Sequence, residues 1–296
     1  MNKSPASRLR LTIFALPKPF EGHVSRIQRN AIRSWKRLGS RVEIILCGND
    51  SGIAENAAEF GAVHVPEIEM NQFGTPLLHS AFQQAQDAAR HDIVCYANAD
   101  LIFGRDLIDA VARVSSVERL FLVVGRSWDL DIEQELMPFD DSCEAELRRR
   151  VAAEGAARGV WWIDFFVFRV NSVGRIPPFA VGRPGWDNWM MWQARKLRFP
   201  VVDISPSTLV IHQKHDYAHV TGARGHRWVG PEGDANKALL RRGQGLGLQD
   251  STHQLVAGHV VPTNRGGLRR RVCTTLALRP SATPLYRILL CDSTNR

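Results

Sequence analysis

The amino-acid sequence predicts an α/β fold with a mostly parallel sheet flanked by helices. In the first third of the chain, short apolar runs alternate with segments of helical periodicity, and this alternation is typical of βαβ units. Residues 11–16 and 42–47 are largely apolar along their length, as expected of strands that are covered on both faces. Between them, residues 22–38 place apolar side chains at helical spacing and stop before Gly39, which favours a helix with a glycine end.

The remaining elements follow from the same patterns. Residues 161–169 are strongly β-like, with one acid, Asp164, inside the run. Residues 133–158 are rich in charge and favour helix, whereas a basic cluster at 269–271 and two later prolines predict little regular structure after residue 268. The other predicted helices are 54–60, 76–90, 106–114, 185–196 and 231–242, and the other predicted strands are 62–65, 92–96, 120–124, 201–204 and 208–212.

Composition limits the classes of partner and compartment. The formal net charge of +8 and the pI near 9.6 favour an anionic partner, but the arginines are dispersed and no nucleic-acid-binding motif is present, so we expect no nucleic acid. Five cysteines without a CxxC pair indicate free thiols in a reducing compartment. We therefore expect a cytoplasmic protein, and the basic tail suggests peripheral contact with an anionic membrane at its inner face.

The loops after the predicted strands are expected to form one binding rim, because parallel sheets bind ligands beyond the carboxyl ends of their strands. Pro17 follows the first strand, Asp50 the second, and Asn98 and Asp100 the fourth. Oxygen donors two residues apart at a strand tip suit Mg²⁺ or Mn²⁺, which take one or two protein oxygens and leave room for phosphate. The alternative is that Asp100 only caps a turn or the helix after it.

Three histidines follow the strand predicted at 208–212. His212, His215 and His219 lie within eight positions, and their spacing would allow a zinc site. No neighbouring cysteine and no HExxH motif accompanies them. The other interpretation is a divalent metal held jointly by Asp100 and His212, since His212 ends a strand and reaches the same rim.

The segment 181–189 places an acid among tryptophans. Asp187 lies between Trp186 and Trp189 at a predicted helix start. An acid there stabilises the helix dipole, but a carboxylate beside aromatic faces that stack on sugars also suits a general base for a hydroxyl. Arg183 is a candidate phosphate ligand, and Asp164 is a second acid of the same kind.

These motifs, in this order, resemble the GT-A fold of nucleotide-sugar glycosyltransferases over roughly residues 11–219. Asn98-Ala99-Asp100 resembles the Asp-x-Asp motif, with Asn98 replacing the first acid, and Gly185-Trp186-Asp187-Asn188 is similar to the Gly-x-Gly-Gly-Glu-Asp region of galactosyltransferase-like members. The sequence motifs HQKHDY and GRPGWDNW are typical of bacterial and plant proteins that look like glycosyltransferases. His212 resembles the third metal ligand of the family.

The resemblance implies an enzyme and a division of the chain. A sugar would pass from a nucleotide-diphosphate sugar to a hydroxyl of a saccharide or lipid-linked acceptor, with Mn²⁺ or Mg²⁺ as cofactor. The configuration at the sugar would invert if Asp187 is the base, and retention stays open if Asp187 only hydrogen-bonds the acceptor. Residues 1–125 would bind the donor, residues 126–245 would form an α+β acceptor half, and residues 246–296 would be a C-terminal extension. The implied roles are Asp187 as base, Asp100 and His212 at the metal, Pro17, Asp50, Asn98, Asp100 and Arg183 at the donor, and Trp186, Asn188, Asp164 and His215 at the acceptor.

Two other functions fit parts of the sequence. A sugar nucleotidyltransferase would carry a glycine-rich basic loop after the first strand, but residues 17–22 contain a single glycine. A carbohydrate- or nucleotide-binding protein without catalysis would be consistent with Asn98 in place of an acid.

Overall fold

The computed structural model describes residues 8–215, 230–240, 244–263 and 268–278. It confirms a mixed α/β fold in which a large, mostly parallel sheet lies between helices. The strands are β1 Leu11–Ala15, β2 Val42–Cys47, β3 Val63–Val65, β4 Ile93–Ala97, β5 Leu101–Phe103, β6 Leu122–Val124, β7 Trp128–Leu130, β8 Ala156–Ala157, β9 Phe165–Arg169, β10 Val201–Asp203, β11 Val210–Gln213, β12 His253–Val256 and β13 His259–Pro262. The helices are α1 Gly22–Arg37, α2 Ile53–Phe60, α3 Leu78–Ala88, α4 Asp106–Val117, α5 Asp141–Glu154, α6 Trp186–Lys196, α7 Pro231–Leu239 and α8 Leu268–Ala277.

The central sheet has nine strands in the order β13-β12-β10-β6-β9-β4-β1-β2-β3. Neighbours pair in parallel except around β9, which runs antiparallel to β4 and β6, and at β13, which runs antiparallel to β12. Strands from the region predicted as a C-terminal extension thus complete one edge of the sheet.

The two faces of this sheet bury different side chains because successive residues of a strand point in opposite directions. Leu11, Ile13 and Cys95 belong to one core cluster, which is covered by α1, α2 and α4. Phe14 and Tyr96 belong to the other, which is covered by α3 and α6. The first four predicted strands are all present, and helices α1 to α4 lie at the predicted places to within a few residues.

A second, four-stranded sheet has the order β5-β11-β7-β8. In it β11 runs antiparallel to β5 and parallel to β7, with Ile211 opposite Trp128 and His212 opposite Asp129. Because β5 follows β4 after a three-residue turn, this small sheet carries the chain from the tip of β4 to the histidine segment.

Some expectations for the second half are corrected. Only Asp141–Glu154 of the helix-prone stretch 133–158 is helical, since its beginning is a loop and its end is strand β8. The run 161–169 is a strand only from Phe165. Helix α8 lies where the sequence predicted little regular structure. None of the helices in the described residues combines the length and apolar character that a bilayer crossing needs.

Candidate active site

Asp100 is held at the tip of β4 by buried polar contacts to its backbone. The carbonyl oxygen of Asp100 accepts two hydrogen bonds from Gln213, one from the backbone N–H at 3.3 Å and one from the side-chain Nε2 at 3.0 Å. The same Nε2 donates to the carbonyl of Ile27 on α1, and Trp35 Nε1 donates to the carbonyl of Leu101 at 2.9 Å. Helix α1 and strand β11 therefore fix the turn that contains Asp100.

The side chain of Asp100 meets two histidines. His215 Nε2 lies 3.0 Å and His212 Nε2 lies 3.5 Å from Asp100 Oδ2, and one ligand atom from each of the three residues falls within 4.8 Å of the others. His219, the third histidine of the sequence cluster, lies outside the described residues. The structure thus groups His215 with Asp100 and His212.

The second carboxylate oxygen of Asp100 bears on whether a cation could bind at this cluster. Oδ1 is buried and has no hydrogen-bond partner among the described residues, and a buried polar atom of this kind requires an explanation. One carboxylate oxygen and two imidazole nitrogens form a donor set that suits Mn²⁺ and other transition-metal ions better than Mg²⁺, which takes oxygen ligands. The three residues therefore fit the metal that the sequence predicted, with His215 as a further ligand.

The charges of the cluster are strongly coupled. Burial alone would lower the pKa of His212, but the carboxylates of Asp100, Asp129 and Asp164 together outweigh it and raise that pKa to about 10. For Asp100, burial opposes ionisation, but the two histidines hold its pKa well below the usual range. A bound cation would replace the imidazole proton, because histidine binds metals in its neutral form.

A cavity opens in front of this cluster. It is lined by Leu16, Lys18, Val24, Ile27, Gln28, Tyr96, Asn98, Ala99, Asp100, Arg158, Asp164, Val181, Gly182, His212 and His215. We call it the donor cavity, because Asn98 and Asp100, which the sequence predicts at the donor, line it. Gln28 shapes its rim, since Oε1 accepts from the backbone N–H of Lys18 at 2.7 Å and Nε2 donates to its carbonyl at 2.9 Å.

Asp164 forms the floor between Asn98 and a buried arginine. Asn98 Nδ2 donates to Asp164 Oδ1 at 3.2 Å, and Ser127 Oγ donates to Oδ2 at 2.5 Å. Arg158 Nε lies 3.5 Å from the same Oδ2, and Nη1 lies 3.3 Å from Asp129 Oδ1. The Arg158 side chain is only 6% exposed, so its guanidinium is fixed at the donor cavity between these two carboxylates.

A second cavity shares a wall with the first. Its lining consists of Tyr96, Asn98, Trp161, Trp162, Ile163, Asp164, Gly182, Arg183, Pro184, Trp186, Asp187 and Asn188, and we call it the acceptor cavity. Tyr96, Asn98, Asp164 and Gly182 line both cavities.

Asp187 is the acid of the acceptor cavity. It belongs to the first turn of α6. Burial raises its pKa to about 7, with a smaller contribution in the same direction from Asp164, and backbone N–H groups of Asn188 and Ile163 offset part of the rise. A carboxyl group with a pKa near neutrality is suited to accept a proton at working pH.

The other site residues predicted in this segment also contact the rest of the protein, through ring packing, hydrogen bonds or an ion pair. Trp186 is 6% exposed and packs edge-on against Tyr96 with ring centroids 5.0 Å apart. Asn188 Nδ2 donates to the carbonyls of Trp161 and Leu246, both at 3.1 Å. Arg183 forms an ion pair with Glu232 of α7 at 2.5 Å.

Two predicted donor residues lie apart from these cavities. Pro17 is buried and does not line the donor cavity, although its neighbours Leu16 and Lys18 do. Asp50 is exposed on the turn after β2 and lines neither cavity.

Asp129 and Arg158 contribute to the site but were missed from the sequence. His212 Nδ1 lies 2.7 Å from Asp129 Oδ1, and Arg158 joins Asp129 to Asp164. Asp129 lies within β7 and Arg158 directly follows β8, and both strands are very short and in a stretch without clear periodicity, so the sequence offers no pattern that identifies these residues.

Several solved structures resemble the chain. M. tuberculosis glucosyl-3-phosphoglycerate synthase matches with a TM-score of 0.47 and 14% identity, over 88% of this chain and 90% of that one. S. aureus TarS 1-349 in complex with UDP-GlcNAc matches with a TM-score of 0.46 and 11% identity, over 73% of this chain and 62% of that one. The mannosyltransferase PcManGT from Pyrobaculum calidifontis, in complex with GDP-Man and Mn²⁺, matches with a TM-score of 0.45 and 15% identity, over 77% and 62%. This chain thus spans less than two thirds of the last two proteins.

No protein-family model matches the sequence, and a search of curated proteins found no match.

Proposed function

We propose that the protein is a glycosyltransferase that moves a sugar from a nucleotide-diphosphate sugar to a hydroxyl group of an acceptor. The observation that carries this proposal is the pair of cavities with a common wall. One contains the Asp100, His212 and His215 cluster, and the other contains Asp187. A group bound at the first can thus meet a hydroxyl bound at the second across Asn98 and Asp164.

The donor cavity suits a diphosphate. Asp100, His212 and His215 would hold Mn²⁺ or Mg²⁺, which when bound offsets the negative charge that develops on the departing diphosphate. Lys18 adds positive charge to the lining of the same cavity, whereas the charge of Arg158 is paired with Asp129 and Asp164.

The acceptor cavity supplies the proton acceptor. A carboxylate oxygen of Asp187 takes the proton of the acceptor hydroxyl, and the oxygen of that hydroxyl forms a bond to the anomeric carbon. The bond from this carbon to the diphosphate oxygen breaks, and the nucleoside diphosphate leaves with the electron pair. A single displacement of this kind inverts the anomeric configuration. The indole of Trp186 packs on Tyr96 and the amide of Asn188 bonds the carbonyl of Trp161, and these contacts fix the cavity wall around Asp187.

A second candidate function is binding without catalysis. Its support is Asn98, whose amide donates to Asp164 where the Asp-x-Asp motif would have a further carboxylate. This protein would bind a sugar nucleotide and show no turnover.

The acceptor class includes lipid-linked saccharides, which would place the protein at an anionic membrane. The support for this is the basic sequence Arg269-Arg270-Arg271, since clustered basic residues bind anionic surfaces. Flotation with phosphatidylserine vesicles, compared between wild type and the double variant Arg269→Gln, Arg271→Gln, tests this part alone and leaves the ion pair of Arg270 with Asp250 intact.

Nucleotide-dependent thermal stabilisation tests the proposal. UDP, GDP, CMP and dTDP would each be added with Mn²⁺ or with EDTA, because a ligand that binds only the folded state raises Tm. We expect one nucleotide to raise Tm in the presence of Mn²⁺, and Asp100→Ala to abolish the rise. Absence of a shift with every nucleotide would contradict a donor site, while a shift without any turnover of the matching sugar nucleotide would favour binding without catalysis.

A further inference from the structure

A third cavity lies apart from the donor and acceptor cavities. Its volume is about 380 Å³, and it is lined by Arg126, Trp128, Val160, Ser205, Pro206, Leu248 and Gln249. No lining residue is shared with the other two cavities. Ligand pockets of proteins start at about 300 Å³ and combine apolar walls with a few polar groups, so both the size and the lining suit a small ligand.

The position of this cavity follows from the alternation of side chains at residues 126–129. Ser127 donates to Asp164, and Asp129 bonds to His212, so these two point toward the candidate active site. Arg126 and Trp128 point the other way and line the third cavity. A part of the Trp128 ring packs on the cluster that contains Leu130 and Ile211, and the rest faces the cavity.

The chemistry of the lining indicates the ligand class. Within the described part of the chain, the Arg126 guanidinium has no ion-pair or hydrogen-bond partner, and neither has the indole N–H of Trp128. A half-buried guanidinium without a partner suits a carboxylate or phosphate. An indole face beside it suits a sugar ring, because its apolar body and polar N–H match a surface of C–H and O–H groups. Ser205 and Gln249 add polar groups at the margin.

We propose that the third cavity binds an acidic saccharide, with its carboxylate or phosphate on Arg126 and its ring on Trp128. This site goes beyond the proposed transfer reaction and does not depend on it, because its residues belong to neither of the two other cavities. Its ligand would lie on the reverse side of the chain segment that positions His212 and Asp164.

Ligand-observed saturation-transfer NMR on the full chain tests the site, because it detects weak binding without any need for turnover. The probes are D-glucuronate and glucose 6-phosphate, which distinguish the two acidic groups, with neutral D-glucose and inorganic phosphate as controls. We expect saturation transfer to at least one acidic sugar and at least tenfold weaker transfer to D-glucose. Inorganic phosphate should compete at least tenfold less well than the acidic sugar.

Variants assign the signal to the cavity. Arg126→Gln and Trp128→Leu should each reduce the transfer at least fivefold, whereas Arg126→Lys should retain part of it. Arg113→Gln is the matched control, since Arg113 is exposed on α4, and Asp187→Asn controls for binding in the acceptor cavity. Circular dichroism would confirm that each variant is folded. Absence of transfer with wild type, an unchanged signal in Arg126→Gln, or equal binding of D-glucose would overturn the proposal.

Discussion

The Nδ1 atom of His212 lies 2.7 Å from Oδ1 of Asp129. These residues are register partners on the parallel strands β11 and β7, so the contact is built into the small sheet. It leaves Nε2 of His212 directed to Asp100. Carboxylates that bond the second nitrogen of a histidine ligand fix its tautomer and orientation, and they strengthen the metal bond.

Loss of this carboxylate should weaken metal binding. We expect Asp129→Asn to raise the Kd for Mn²⁺ about 10- to 100-fold, the usual effect of removing such a partner, as measured by titration calorimetry. Asp131→Asn is the matched control, since Asp131 is an exposed acid two residues away, and its Kd should stay within about twofold of wild type. Equal affinities for wild type and Asp129→Asn would remove Asp129 from the metal site.

Asp187 should control turnover without controlling donor binding. We expect Asp187→Asn to lower kcat about 100-fold or more, the scale of a lost general base, while the nucleotide-dependent rise in Tm stays as in wild type. In wild type, kcat should increase as pH rises through about 7, because the carboxyl group must be ionised to accept a proton and its pKa is raised to about 7. A pH-independent rate would show that another group takes the proton.

The same raised pKa should make stability depend on pH. An unfolded aspartate has a pKa of about 3.9, so between about pH 4 and pH 7 the folded chain retains a proton that the unfolded chain has lost. The free energy of unfolding should therefore fall as pH rises across this window. Relative to wild type, Asp187→Asn should become steadily more stable from pH 5 to pH 7 in urea titrations, and the difference should level off above about pH 7. A constant difference between the two proteins would contradict this assignment of the proton.

Arg158 should be required for stability. Its side chain is 6% exposed, and its removal would leave Asp164, which is 7% exposed, without its cation. Loss of one partner of a buried ion pair costs about 3–5 kcal/mol, and we expect Arg158→Met to lower the free energy of unfolding by about 3 kcal/mol. The matched control is Arg149→Met, because Arg149 is 74% exposed and pairs with Glu146 within the same helix. It should cost less than about 1 kcal/mol, and similar losses in the two variants would argue against a structural role for the buried pair.

Trp186 should behave as a core residue as well as a cavity wall. It packs on Tyr96 and on Phe166, with the latter ring centroid 5.5 Å away. We expect Trp186→Ala to cost about 3–5 kcal/mol, as for other buried aromatic residues. Trp161, which is 48% exposed, provides the comparison, and Trp161→Ala should cost less than about 1 kcal/mol. Chemical denaturation of both variants measures the difference.

The sequence predicts best those elements in which apolar residues form a continuous run or recur at helical spacing. The continuous apolar runs of β1, β2 and β4 and the helical spacing of α1 identified the central sheet, because burial on both faces leaves a clear pattern. Asp100 could be singled out since an acid directly after a buried strand must lie at the sheet edge.

The partners of Asp100 were only partly predictable. The sequence predicts His212, at the end of a strand, as a metal ligand, but it places His215 at the acceptor, because nothing in the sequence fixes how the chain turns after β11. Asp129 and Arg158 depend on the pairing of β7 with β11 and β8. These strands have two to four residues, too few to show alternation, so only tertiary structure reveals the contacts.

The pairing of β7 with β11 also limits how the length of the chain can vary. A strand presents alternate residues to its two sides, so a shift by one position exchanges the sides. Loss or gain of one residue in the loop that feeds β7 would turn Asp129 away from His212 and present Trp128 or Leu130 in its place. A shift by two positions would restore the side and place either Ser127 or Asp131 where Asp129 now lies. Insertions and deletions in the loop before β7 should therefore be selected against. This should hold even where substitutions that preserve the polar pattern are tolerated.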